Sequence, residues 1–273
     1  MAFLKRAYRK VSITRNRDFA QLIELLFSFV KRDLKARYKN TFLGIAWMFI
    51  QPFLLALIIV FIKGRLNIDS KSSYLDMFAV LIPWQFFVNV IQRGIFCLEA
   101  NQNIIHRIKF PIILLPVSVI ITSLIDSTIN IIIYFILRLI SKTNVFSSVI
   151  NLYSILLIST VFIFALCLFL ITLQSFIPDL RFGIPYLTKL SLLTLPILFN
   201  ENILPSNIGT IYKFIPIVWM INASKDLTIS GSTGSIILAG QILIISVVSL
   251  IIAVYLFKRV EKYFILRRDL QEN

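Results

Sequence analysis

The stretch TFLGIAWMFIQPFLLALIIVFI, Thr41–Ile62, contains no charged residue, and it directly follows a basic prefix, residues 1–40, in which no apolar run is long enough to cross a bilayer. A hydrocarbon core of about 30 Å takes roughly 20 helical residues to span, so this run makes lipid the solvent for at least part of the chain. A helix is the natural conformation there, because it satisfies every backbone hydrogen bond within one segment. A secretory leader is the poorer account. The basic stretch ahead of the run is far longer than an ordinary n-region and the run itself is long enough to span, so this segment is expected to remain in the mature chain.

Working outward, five more apolar runs follow: Leu75–Cys97, Phe110–Leu137, Val149–Phe176, Gly183–Phe199 and Ile236–Phe257. The expected fold class is an all-α integral membrane protein with six transmembrane helices, the third and fourth long enough to tilt or protrude. Composition agrees, with 58% hydrophobic and 15% charged residues and a mean hydropathy of +0.86. Six spans place both termini on one side, and the segments on that side, counted with Arg93 and Lys189 of the adjoining runs, hold 21 of the 28 Lys and Arg. Basic residues accumulate on cytoplasmic loops, so the expectation is a multi-pass protein of the inner (cytoplasmic) membrane with cytoplasmic N- and C-termini. The net charge of +15 then belongs to topology and anionic membrane lipids, and nucleic acid is not an expected partner.

The organisation predicted is a cytoplasmic segment over residues 1–40, a six-span domain over 41–257 and a cytoplasmic tail over 258–273. Within the first, Phe19, Leu22, Ile23, Leu26, Val30 and Leu34 recur at helical spacing opposite Gln21, Glu24, Lys31, Arg32 and Lys35. That pattern predicts an amphipathic helix, lying in the membrane interface or packed on the cytoplasmic ends of the spans. Residues 98–109 form a short polar cytoplasmic link. Asn200–Ser235 is too polar to span but carries apolar pairs interrupted by Pro205 and Pro216, which predicts short re-entrant helices at the outer interface.

No Gly-rich stretch precedes a Lys-Ser or Lys-Thr pair, so the chain lacks a phosphate-cradling loop and is not expected to hydrolyse ATP. His106 is the single histidine, the acidic residues are scattered, and Cys97 and Cys167 have no metal-ligand spacing. Neither a metalloenzyme nor a Ser-His-Asp hydrolase is indicated. Polar residues do fall on helix faces: Gln85, Asn89, Gln92 and Arg93 on the second run, and Thr122, Asp126 and Asn130 on the third. Polar groups at membrane depth face protein or water. The second-run stripe reads as an aqueous path, whereas the third reads equally as helix–helix hydrogen bonding. Trp47 beside Gln51, and Trp84, Phe86 and Phe87 beside Gln85, pair rings with hydrogen-bonding groups, a combination that suits sugars.

These residues resemble a family, the membrane subunits of type-two ABC exporters that move lipid-linked polysaccharides such as O-antigen, capsule or teichoic acid. The resemblance rests on Arg32-Asp33-Leu34-Lys35-Ala36-Arg37-Tyr38-Lys39 running through Leu43-Gly44 to Trp47, on Gln51-Pro52, on Ile82-Pro83-Trp84-Gln85-Phe86-Phe87, and on Asn101 to Phe110-Pro111. It departs from the family's pattern at Pro178-Asp179, Ile215-Pro216 and Lys225. The resemblance implies a homodimer, two copies of a separate ABC ATPase subunit that bind ATP and Mg, and no cofactor on this chain. It also implies a coupling helix over Glu99–Lys109, with Glu99, Asn101, Asn103, His106 and Arg107 facing the ATPase, and an outer gate over Asn200–Val218.

The function so implied is the permease half of an exporter of undecaprenyl-diphosphate-linked polysaccharide, O-antigen first among the candidates. Tyr38, Trp47, Gln51, Trp84, Gln85, Phe87, Asn89, Gln92 and Arg93 would line the substrate path. Arg32, Arg37 and Lys39 would draw the diphosphate to an inner gate. The competing readings are a teichoic acid or capsule exporter, an ABC exporter of a small lipid or drug, and a membrane glycosyltransferase using Asp69 with Asp76, or Asp179.

Overall fold

The structure, a computed structural model, describes residues 19–38, 44–65, 73–108, 110–141, 146–198, 212, 215–226 and 239–271. Among these the chain is helical and contains no strand. The α-helices are α1 (Phe19–Tyr38), α2 (Trp47–Arg65), α3 (Tyr74–Phe96), α4 (Gln102–Arg107), α5 (Leu114–Ile140), α6 (Phe146–Gln174), α7 (Leu180–Thr194), α8 (Pro216–Lys225) and α9 (Ala239–Gln271), with 3-10 turns at Gly44–Ala46 and Glu99–Asn101. Five of them, α2, α3, α5, α6 and α9, hold stretches long and apolar enough to cross a membrane.

The run Gly183–Phe199 behaves differently from the other five. Its helix, α7, has 15 residues, about 22 Å at 1.5 Å per residue, which is short of a bilayer core. The break follows from Pro196: a proline pushes the preceding residue out of the helical region, and Leu195 is extended at φ −77, ψ 154. An apolar run that looks continuous in composition is therefore cut in its conformation.

Helix α3 lies at the centre, with 78% of its spanning window buried against 22% for α2 and for α9. It packs on α2, α5, α6, α7 and α8, while α9 lies along α6. Its N-terminal end is fixed by a capping box, in which Ser73 Oγ accepts from Leu75 N–H and Asp76 accepts from Ser73 N–H. Arg138 of α5 also donates to Asp76, at 3.2 Å. The close approach of α3 to α6 depends on Gly94, where an added Cβ would collide with Cys167 Sγ. Both cysteines are buried and reduced. The peripheral helices turn apolar side chains outward, Leu54, Ile58 and Phe61 on α2 and Ile244, Val248 and Ile251 on α9, as contact with lipid or another apolar surface requires.

Helix α1 is apolar on two sides. Phe29 and Val30 are buried and the helix packs on α5, whereas Phe19, Ile23 and Phe27 stand exposed at i, i+4 and i+8. The proposed outer segment is described at Tyr212 and over residues 215–226, which include α8. That helix begins on Pro216, which suits a first-turn position because its missing N–H would be unpaired anyway, and it buries Val218, Trp219, Met220 and Ile221 between α3 and α6. The remainder of Asn200–Ser235 lies outside the described residues.

Candidate functional site: a polar cavity closed by an ion cluster

Three helices present polar side chains to one cavity of about 110 Å³. From α2 come Trp47, Met48, Gln51 and Pro52; from α3, Gln85, Asn89 and Arg93; from α5, Asp126 and Asn130. The α3 and α5 sets are spaced by four residues, so each lies along one helix face. Gln85 Nε2 donates to Asn89 Oδ1 at 3.3 Å.

An ion cluster forms part of the wall. Asp126 Oδ2 accepts from Arg93 Nη1 at 2.9 Å and from Arg37 Nη1 of α1, so a single carboxylate oxygen holds two guanidiniums. The Asp126 side chain is 6% exposed and that of Arg37 19%. An ionised carboxylate this deep needs charge-assisted partners, and the cluster ties the amphipathic helix to two of the spanning helices. Arg37 is 89 residues from Asp126 in sequence. The i, i+4 pattern makes Asp126 and Asn130 visible as a stripe, but it does not say which cation they meet.

The anticipated path residues divide between this cavity and other places. Trp47, Gln51, Gln85, Asn89 and Arg93 come together in it. Gln92 instead turns toward α7, donating to Thr188 Oγ1 at 3.0 Å, and Trp84 Nε1 donates to Ser191 Oγ of the same helix at 3.0 Å. Phe87 is buried in the core. Gln92 and Arg93 are adjacent and so point about 100° apart on a helix, enough to send one to α7 and the other to Asp126. The side chain of Tyr38 and the whole of Lys39 lie outside the described residues. Arg32 donates to Asp33 at 2.7 Å and lies 5.2 Å from the centre of the Phe29 ring.

The link between α3 and α5 forms a ledge at the end of the bundle that holds Arg93. Glu99 accepts from Gln174 at 3.3 Å and from Arg181 at 3.2 Å, joining the link to the turn after α6. Asn101 is buried and donates to the Cys97 carbonyl at 2.7 Å, whereas Asn103 and Arg107 are exposed. The side chain of His106 is outside the described residues. Past α4, the Ile112 amide donates to Glu261 of α9 at 2.7 Å, so the two ends of the ledge rest on different helices. Among the described residues no group of three or more His, Cys, Asp or Glu is placed to hold a metal. Of the carboxylates considered for a glycosyltransferase, Asp76 is engaged by Ser73 and Arg138, Asp179 stands at the N-cap position of α7 without a side-chain capping hydrogen bond, and Asp69 lies outside the described residues.

A helical bundle with several membrane-length helices, a polar cavity among them and a small polar ledge at one end defines a multi-pass membrane transport component. The comparisons with known proteins fix the class more narrowly. Residues 24–228 match the family described as ABC-2 type transporter, and the chain belongs to that family. It is similar to an O-antigen export system permease protein RfbA of Klebsiella pneumoniae, 28% identical over 81% of this chain and 86% of the relative. A protein of the same name from Myxococcus xanthus is 35% identical over 40% of this chain and 42% of the relative. The polysialic acid transport protein KpsM of Escherichia coli is 23% identical over 88% of this chain and 93% of the relative.

Proposed function

We propose that the chain is the permease half of an ABC exporter that moves an undecaprenyl-diphosphate-linked polysaccharide, O-antigen first among the candidates, from the cytoplasmic to the outer leaflet of the inner membrane. ATP would be hydrolysed, with Mg, on two copies of a separate subunit, and two copies of this chain would form the translocating unit. The observation that carries the substrate class is similarity over four-fifths or more of the chain to proteins named for O-antigen export and polysialic acid transport. The polar cavity supports it physically. An unpaired hydroxyl taken into hydrocarbon costs a few kcal/mol, so a chain of sugars needs hydrogen-bonding groups at membrane depth, and Gln51, Gln85 and Asn89 supply them.

The finer topology belongs to this reading. Six crossings with cytoplasmic termini fit the charge asymmetry if α7 and the apolar residues after it complete the fifth. The ledge from Glu99 to Arg107 would then face the cytoplasm and seat the ATPase, with exposed Asn103 and Arg107 turned toward it. In the proposed path, Trp84 and Gln92 act at the α3–α7 contact rather than in the cavity. Arg32 and Arg37 would meet the diphosphate from positions where each already has a carboxylate partner.

Deleting the gene in its host tests the proposal. Lipid-linked glycans would be quantified by mass spectrometry alongside the polysaccharide at the cell surface. Completed lipid-linked polymer should accumulate while surface polymer is lost. Loss of all polymer would point to a biosynthetic enzyme, and unchanged glycans to a small-lipid or drug exporter.

A further inference from the structure

The ion cluster leaves part of the cavity wall unexplained. Asp126 Oδ1 and Asn130 Oδ1 are buried, and among the described residues neither receives a hydrogen bond. Both side chains line the cavity. Asn130 donates its amide to the Asp126 carbonyl at 3.0 Å, which orients the amide and leaves its oxygen as the unmatched atom. Buried acceptors are costly to leave without donors, so these two side-chain oxygens describe what the occupant must bring.

Charge and donor capacity select that occupant. A cation would sit against Arg37 and Arg93, two positive groups held by one carboxylate. An anion would satisfy the guanidiniums but offer nothing to the unmatched oxygens, and it would face the Asp126 carboxylate. A neutral group with several hydroxyls both donates and accepts: it can donate to Asp126 Oδ1 and Asn130 Oδ1 and accept from Arg93 and the side-chain amides. Trp47, 47% exposed at the rim, adds an indole face for the C–H side of a sugar ring. We infer that the cavity is a hydroxyl-binding subsite for the sugars of the exported glycan, with Asp126 and Asn130 as the acceptors. This rests on the export reading and adds to it two residues of α5 and the chemistry of their contact.

The test uses the whole chain with its ATP-binding subunit in lipid nanodiscs and, as probe, oligosaccharides of a few sugars cut from the host's own surface polysaccharide. Saturation transfer from protein to sugar protons is compared for the native chain, Asn130→Leu and Asn130→Ala. The first variant fills the site; the second removes the acceptor with little risk to a helix. Transfer should fall at least fivefold in both, and surface polymer should fall in parallel in cells carrying them, with the chain at normal abundance in the membrane. Undiminished transfer and export in both variants, in a host whose deletion strain still accumulates lipid-linked polymer, would overturn the inference and assign the cavity to ordered water. A deletion strain that accumulates no such polymer would instead overturn the export reading beneath it.

Discussion

Asp126 holds Arg37 and Arg93 on one oxygen, and that arrangement ranks what its members contribute. Removing one partner of a buried ion pair costs about 3–5 kcal/mol when the other is left uncompensated. Asp126→Leu removes a carboxylate that both guanidiniums share, whereas Arg37→Leu leaves the Arg93 pair in place. In detergent, Asp126→Leu should therefore lower the thermal midpoint of the purified chain well below that of Arg37→Leu; equal losses would mean that the cluster is not a shared one. The stripes themselves were legible in the sequence, because residues four apart share a face whatever the tertiary structure. Their partners were not. Arg37 reaches Asp126 across a gap that only the packing of α1 on α5 closes, and neighbouring Gln92 and Arg93 part company by helical geometry alone.

Where α3 meets α6, Gly94 faces Cys167 with no room for a Cβ. Overpacking a tight interior site costs about 1–3 kcal/mol, so Gly94→Ala should destabilise the chain, and adding Cys167→Ala should restore most of the loss by removing the sulfur. A double variant no more stable than Gly94→Ala, measured by thermal unfolding in the same detergent, would show that the two helices do not meet there. Apolar run length led to a membrane-length helix at five of the six places expected. The exception, α7, is instructive because Pro196, which shortens it, ends a helix in a way that a count of apolar residues does not register. The amphipathic pattern of α1 likewise predicted a helix, but not that its apolar residues divide between the α5 contact and an exposed stripe.

For the whole molecule, the composition establishes the solvent, and family membership establishes the trade of a transporter's membrane component. What the bundle adds is a polar cavity at the meeting of α2, α3 and α5, and a ledge held at one end by Glu99 and at the other by Glu261. Helix α9, with 33 residues and so about 50 Å long, outruns the membrane and brings Glu261 to that ledge. In the proposed function these features would open a hydrogen-bonding route through lipid when an ATP-binding partner moves the end of the bundle that carries the ledge. The most direct measurement of that claim reconstitutes the chain with its ATP-binding subunit in sealed vesicles, with lipid-linked glycan from the host placed in the outer leaflet. A glycan-cleaving enzyme outside then reports which glycans have left that leaflet. ATP should render the glycan progressively resistant to the enzyme, with no such change when ATP is replaced by a non-hydrolysable analogue. Glycan that stays fully cleavable with ATP, in vesicles where the same complex moves a small labelled lipid, would contradict the account.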